Sequence, residues 1–210
     1  MSLELVPLKT VHGEEKVWNL ISELSPVDIC ARAGVTCDQG GKIFTVRSFG
    51  IDFRLSASQR SISSDSPLAS LFLEQLKDFF RLPMLWYLTS AKDIPCTNRL
   101  IKPIDVKGGQ RFFSGTHVLP LDKLAEKYGK DKELFLRKGA ELGAEVVGHG
   151  DAALRFYPLP NVPITLILWL EDEEFPARVD LLFDSTCDLQ IALSDIIWSL
   201  ATLTALVMLH

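Results

Sequence analysis

His117 is the imidazole best placed to do chemistry. It follows Phe112-Phe113-Ser114-Gly115-Thr116 and precedes Val118-Leu119-Pro120, so a flexible glycine and two aromatic rings lie beside the start of a predicted helix. A neutral imidazole can ligate a transition metal, or hold a haem or corrinoid centre from the axial side. The N-terminus of the helix opened by Pro120 would favour a ligand's carboxylate or phosphate. In that reading His117 is the metal or polar anchor, with Phe112, Phe113 and Trp86 as apolar walls of a cofactor site. The default alternative is a loop histidine that hydrogen-bonds backbone and pins the turn.

Four successive carboxylates, Glu171-Asp172-Glu173-Glu174, form a second candidate. They repel one another, so they must be solvated, neutralised by a cation or paired with bases. A hairpin tip points successive side chains in diverging directions, which favours a solvated turn or a partner-docking patch over a bound cation. Phe175-Pro176 then fixes the exit of the chain. Asp184-Ser185 ends a predicted strand, where Asp184 is suited to accept backbone N–H bonds. A small hydrolase or transferase pairing His117 with Asp184 is the enzymatic alternative, but no GxSxG elbow is present. Gly108-Gly109 belongs to neither GxGxxG nor GxxxxGK[ST], so it reads as a turn. Trp18, Trp86, Trp169 and Trp198 read as core packing, although grouped around a pocket they could stack on a flat cofactor.

The chain that must position these groups has 210 residues, 47% hydrophobic and 23% charged, enough to bury a core and too apolar for wholesale disorder. A net charge of -5 argues against a nucleic-acid grip, which needs clustered cations. The acid is concentrated in residues 171–210, which carry -7, while residues 1–170 carry +2. Cys30, Cys37, Cys96 and Cys187 make no CxxC pair, so the expectation is reduced thiols, a cytoplasmic location and no intrinsic iron–sulfur cluster. The first residues carry no basic stretch followed by an apolar run, so no signal peptide is expected. Residues 196–210 are apolar but too few for a bilayer span of roughly 20 residues. A buried terminal helix is expected there, with docking on a partner as the alternative.

Val17, Leu20, Ile21 and Leu24 repeat at helical spacing, and Ser25-Pro26 restarts a second helix that Gly34 stops. Ile43, Phe44 and Val46, then Ile51, Phe53 and Leu55, predict a two- or three-stranded antiparallel meander, followed by a serine-rich loop over 59–67. A long apolar helix from Pro67 is expected to break or kink at Pro83 and continue through Trp86 and Leu88. Residues 94–115 read as irregular. Helices over 120–129 and 131–142 precede strands near 144–147, 152–157, 164–170 and 178–183, and the chain closes on a helix. The class is α+β: a mainly antiparallel sheet, N-terminal meander plus C-terminal strands, packed with helices in a single domain over 1–210.

Leu166-Ile167-Leu168-Trp169, Asp172-Glu173-Glu174-Phe175-Pro176 and Leu181-Leu182-Phe183-Asp184-Ser185 together resemble the C-terminal signature of the DUF3786 family. Upstream features follow in the family's order: Ala31-Arg32-Ala33-Gly34-Val35, Trp86-Tyr87-Leu88, Gly108 to Phe113, Gly115 to Pro120, Tyr128-Gly129 and Leu142-Gly143. The resemblance runs from about Trp18 to Leu200 and is most specific from Asp172 to Ser185. The family is uncharacterised and occurs mostly in anaerobes. Some members look like fusions to a four-cysteine iron–sulfur domain, which implies work beside low-potential electron transfer or corrinoid metabolism. This chain lacks that cysteine cluster, so the resemblance implies that any cluster belongs to an iron–sulfur or corrinoid protein partner. The resulting expectation is a ligand-binding accessory protein for a corrinoid, a haem or a related redox system. The resemblance supplies no catalytic residues.

Overall fold

A computed structural model describes residues 11–110 and 118–210. Helix α1 (Val11–Glu23) buries Val17, Trp18 and Ile21 and packs on the later helix α3 (Lys77–Ser90). A bidentate pair from Arg81 to Glu14 ties the two together, with N–O distances of 3.0 to 3.3 Å. Helix α2 (Pro26–Ala33) starts on Pro26 and stops at Gly34, whose φ of +62° is the left-handed conformation a glycine adopts without strain.

Four strands follow in an antiparallel meander: β1 (Thr36–Cys37), β2 (Ile43–Ser48), β3 (Ile51–Ser56) and β4 (Ser61–Ser63). Phe49-Gly50 turns β2 into β3 with positive φ at both residues, which matches the right-handed twist of the hairpin. Phe49 tolerates that backbone because its ring is buried against Phe72 and Phe156 and its N–H donates to the Tyr157 carbonyl. Phe53 and Phe80 complete the same aromatic cluster. Strand β4 lies where a serine-rich loop is expected. Its single inward side chain, Ile62, pairs with Leu55, too little for a two-residue period to show.

The apolar helix breaks at Leu76, not at Pro83. Leu71–Gln75 winds as a π-helix, the Leu76 N–H reaches back to the Leu71 carbonyl, and α3 then runs through Pro83 without interruption. Burial of Phe79, Phe80, Leu82, Met84, Leu85 and Leu88 offsets the proline's cost of about 3 kcal/mol.

The second sheet holds five antiparallel strands in the order β5-β9-β8-β7-β6: β5 (Leu100–Ile101), β6 (Glu145–Val147), β7 (Ala152–Leu159), β8 (Val162–Trp169) and β9 (Arg178–Asp184). Strand β5 and a 3-10 turn at Pro103–Asp105 fall inside the segment expected to be irregular. Helices α4 (Leu121–Tyr128) and α5 (Lys132–Glu141) precede β6, and the side chain of Asp131 caps α5 by accepting from the Leu134 N–H. The short α6 (Cys187–Gln190) leads into α7 (Ser194–Leu209), buried at nearly every position from Ile196 to Met208. Lys127 and Tyr128 of α4 hydrogen-bond the last carbonyls of α7. No helix among the described residues is long and apolar enough to cross a membrane. The architecture is α+β, with both sheets antiparallel and packed against helices.

Candidate functional site

Strand alternation decides what β8 and β9 expose. Ile164, Leu166 and Leu168 of β8, with Val179, Leu181 and Phe183 of β9, point into the core. The opposite face carries Thr165, Ile167 and Trp169 in register with Leu182, Asp180 and Arg178. At its open end the Arg178 guanidinium lies 4.7 Å from the centroid of Trp169, and the indole N–H donates to Asp180 Oδ2 at 2.8 Å. Arg178 Nε stays 4.0 Å from that oxygen, so the guanidinium keeps donors free for another anion. The three side chains form a flat aromatic and cationic platform held from one side.

Two grooves flank it. The helix-side groove, about 620 Å³, runs between this sheet face, residues 118–122 and Lys102-Pro103, with Val118, Leu119, Leu121 and Ile167 as apolar walls. The tip-side groove, about 610 Å³, lies between the platform, Asp151 and the β8–β9 hairpin tip. Trp169 and Arg178 line both. Volumes of this size are typical of small-molecule sites. Farther along the same sheet face, the Thr165 hydroxyl is buried with no hydrogen-bond partner among the described residues.

His117, Phe112 and Phe113 lie outside the described residues. Val118, the next residue along the chain from His117, lines the helix-side groove and is half exposed. Trp86 is half-buried on α3, where its carbonyl accepts from Thr89 and Ser90, and it lines neither groove. The acidic tip divides its labour. Glu171 pairs with Lys130 at 3.0 Å, and Asp172 Oδ1 accepts the N–H groups of Glu174 and Phe175 as the turn's own scaffold. The Glu173 and Glu174 side chains are exposed, with no hydrogen bond or ion pair among the described residues. No group of three or more His, Cys, Asp or Glu side chains among the described residues is placed to hold a metal ion.

Asp184 is 1% exposed and takes donors on both oxygens: the Thr97, Asn98 and Thr186 N–H groups and the Thr97 and Thr186 hydroxyls. Burial pushes its carboxyl up, but those hydrogen bonds outweigh burial and hold it below the usual range. A carboxylate so fully engaged staples residues 97–98 to the end of β9. It leaves nothing to orient an imidazole, so the pairing with His117 finds no support in this geometry. Burial pushes the Cys30 thiol, assisted by Cys37, up to about 11 and Cys187 up to about 12, which keeps both protonated and weakly nucleophilic.

The chain matches the family model described as a domain of unknown function, DUF3786, over residues 25–206. It belongs to the DUF3786 family. No curated protein and no solved structure matches it. The DUF3786 match takes in both sheets, both grooves and most of α7, while α1 precedes it. Within this DUF3786 chain the platform residues Arg178 and Asp180 were not legible as a site. The signal that could have found them is alternation: Arg178 and Asp180 share one face of a strand whose other face is apolar.

Proposed function

We propose that this DUF3786 protein is a ligand-binding accessory protein whose site is the helix-side groove and whose ligand is flat and carries carboxylate or other polar groups at its edge. The observation that carries the reading is the Trp169–Arg178 stack, pinned by Asp180 at the mouth of a groove with apolar walls. A planar ligand gains stacking area on the indole, while Arg178 and Lys102, both in the lining, attract its anionic edge.

A tetrapyrrole, haem or corrinoid, or another low-potential redox cofactor is the ligand class we propose. His117 would be the residue to ligate its metal and Phe112 and Phe113 its further apolar contacts; Trp86 is left out. Such a group would bring the electron-transfer chemistry, and the chain's own residues would bind and orient it. An iron–sulfur or corrinoid protein is the proposed partner. Titration with haemin and with cobalamin, followed by absorbance, tests this reading. A saturable band shift with at least one of them is expected, weakened about tenfold, or about 1.4 kcal/mol, by Trp169→Ala, by Arg178→Gln and by His117→Ala. No shift with either compound overturns it.

A further inference from the structure

The tip-side groove is not needed by the ligand reading and has a chemistry of its own. Phe175 stands on its rim with 66% of its surface exposed, and Leu170, Pro176 and the Trp169 ring supply the rest of the apolar lining. That exposure is built in, not the product of a slack loop. The Asp172 N–H donates to the Phe175 carbonyl, its carboxylate accepts the Glu174 and Phe175 N–H groups, the Glu171 N–H donates to the Gly129 carbonyl, and Asp151 accepts from the Leu170 N–H. A large ring presented on a fixed turn is what an interface centre uses.

The charge around it is mostly negative. Asp151 and Asp172 line the groove and Glu173 and Glu174 stand beside it without counter-ions among the described residues, against a single lining cation, Arg178, stacked on Trp169 at the far wall. We propose that this groove docks a lysine- or arginine-rich segment of a partner protein, one apolar side chain of that segment seating against Phe175 and its flanking cations meeting the acids of the tip. A second copy of this chain fits poorly, because a twofold contact would set the same acids against each other. An anionic membrane surface is repelled for the same reason.

The test is fluorescence anisotropy with a short labelled peptide alternating lysine and leucine, and a glutamate–leucine peptide as its counterpart. The intact chain should bind the first and not the second, more weakly as salt rises. Charge reversal at Glu173→Lys with Glu174→Lys should raise Kd about tenfold, and Phe175→Ala by a similar factor, with circular dichroism unchanged. Reversal of two exposed acids of α1, Glu15→Lys with Glu23→Lys, should leave Kd within about twofold. Equal weakening by the α1 pair would mean bulk charge alone and would overturn the proposal, as would unaltered binding by Phe175→Ala or no binding by the intact chain. Self-association abolished by Phe175→Ala would reassign the groove to a second copy and also overturn it. Haemin or cobalamin binding by the tip variants separates this result from the ligand reading.

Discussion

At one end of β9, Asp184 is sealed from water and takes donors from three residues on both sides of the strand; at the other, Arg178 and Asp180 stand half in solvent, joined to each other only at 4.0 Å and to the rest of the fold through Trp169. The two ends use similar side chains for opposite ends. A buried carboxylate whose lone pairs are all met is part of the scaffold, since removing it would strand several donors at once. Exposed charges beside a groove, with donors to spare, contribute little to stability and are free to meet a ligand. The contrast places the fold's polar lock and its candidate site on one strand, four residues apart at the closest.

That contrast can be broken most severely at the lock. Asp184→Ala should cost about 3 kcal/mol in urea unfolding at neutral pH, because the buried Thr186 donors and the Thr97 and Asn98 N–H groups lose their common acceptor at once. Asp184→Asn should cost less. Since the folded-state pKa of Asp184 is lowered, its contribution is present above the unfolded value near 3.9 and is lost as pH falls through the lower folded one. Stability measured from pH 7 downward should therefore fall below about pH 4 in the wild type and fall less in Asp184→Asn. A parallel loss in both would show that the lowered carboxyl is not Asp184.

At the other end the expected pattern reverses. Trp169→Ala and Arg178→Gln should shift the unfolding free energy by under about 1 kcal/mol while weakening haemin or cobalamin about tenfold. A stability loss matching that of Asp184→Ala would make the platform scaffold and remove the contrast. The smallest effect belongs to Thr165→Val. Replacing an unpaired buried hydroxyl by a methyl group should stabilise the ligand-free chain by about 1 kcal/mol, read as a higher urea midpoint. Destabilisation would mean that the hydroxyl has a partner after all.

Much of the scaffold was legible because its signals are local. Gly34 and Gly143 carry the positive φ that stops a helix, Asp131 caps the helix it precedes, and the apolar run of β8 announces a strand buried on both faces. The break at Leu76 was not legible, since no glycine or proline marks it while Pro83 draws attention to itself. Asp184 accepts the local Thr186 N–H as its turn position predicts, but strand β5 and the Thr97 and Asn98 donors escaped notice because they meet it across more than eighty residues of chain, which no local period encodes. The site was hidden by the same run that revealed the strand. In an unbroken apolar stretch Trp169 reads as core, and only pairing with Arg178 shows that it stands at the end where the sheet opens. His117, Phe112 and Phe113 fall in the segment outside the described residues, so the site rests on Trp169, read from the sequence as packing, and on Arg178 and Asp180, to which the sequence reading gave no role.

The central claim, that a planar ligand lies on the Trp169–Arg178 platform, is tested most directly by indole N–H resonances of the 15N-labelled protein during titration with zinc protoporphyrin, a diamagnetic planar tetrapyrrole. The account predicts that the Trp169 signal shifts in step with binding while those of the buried Trp18 and Trp198 stay in place. A stationary Trp169 signal at saturation, or shifts confined to another tryptophan, would contradict it.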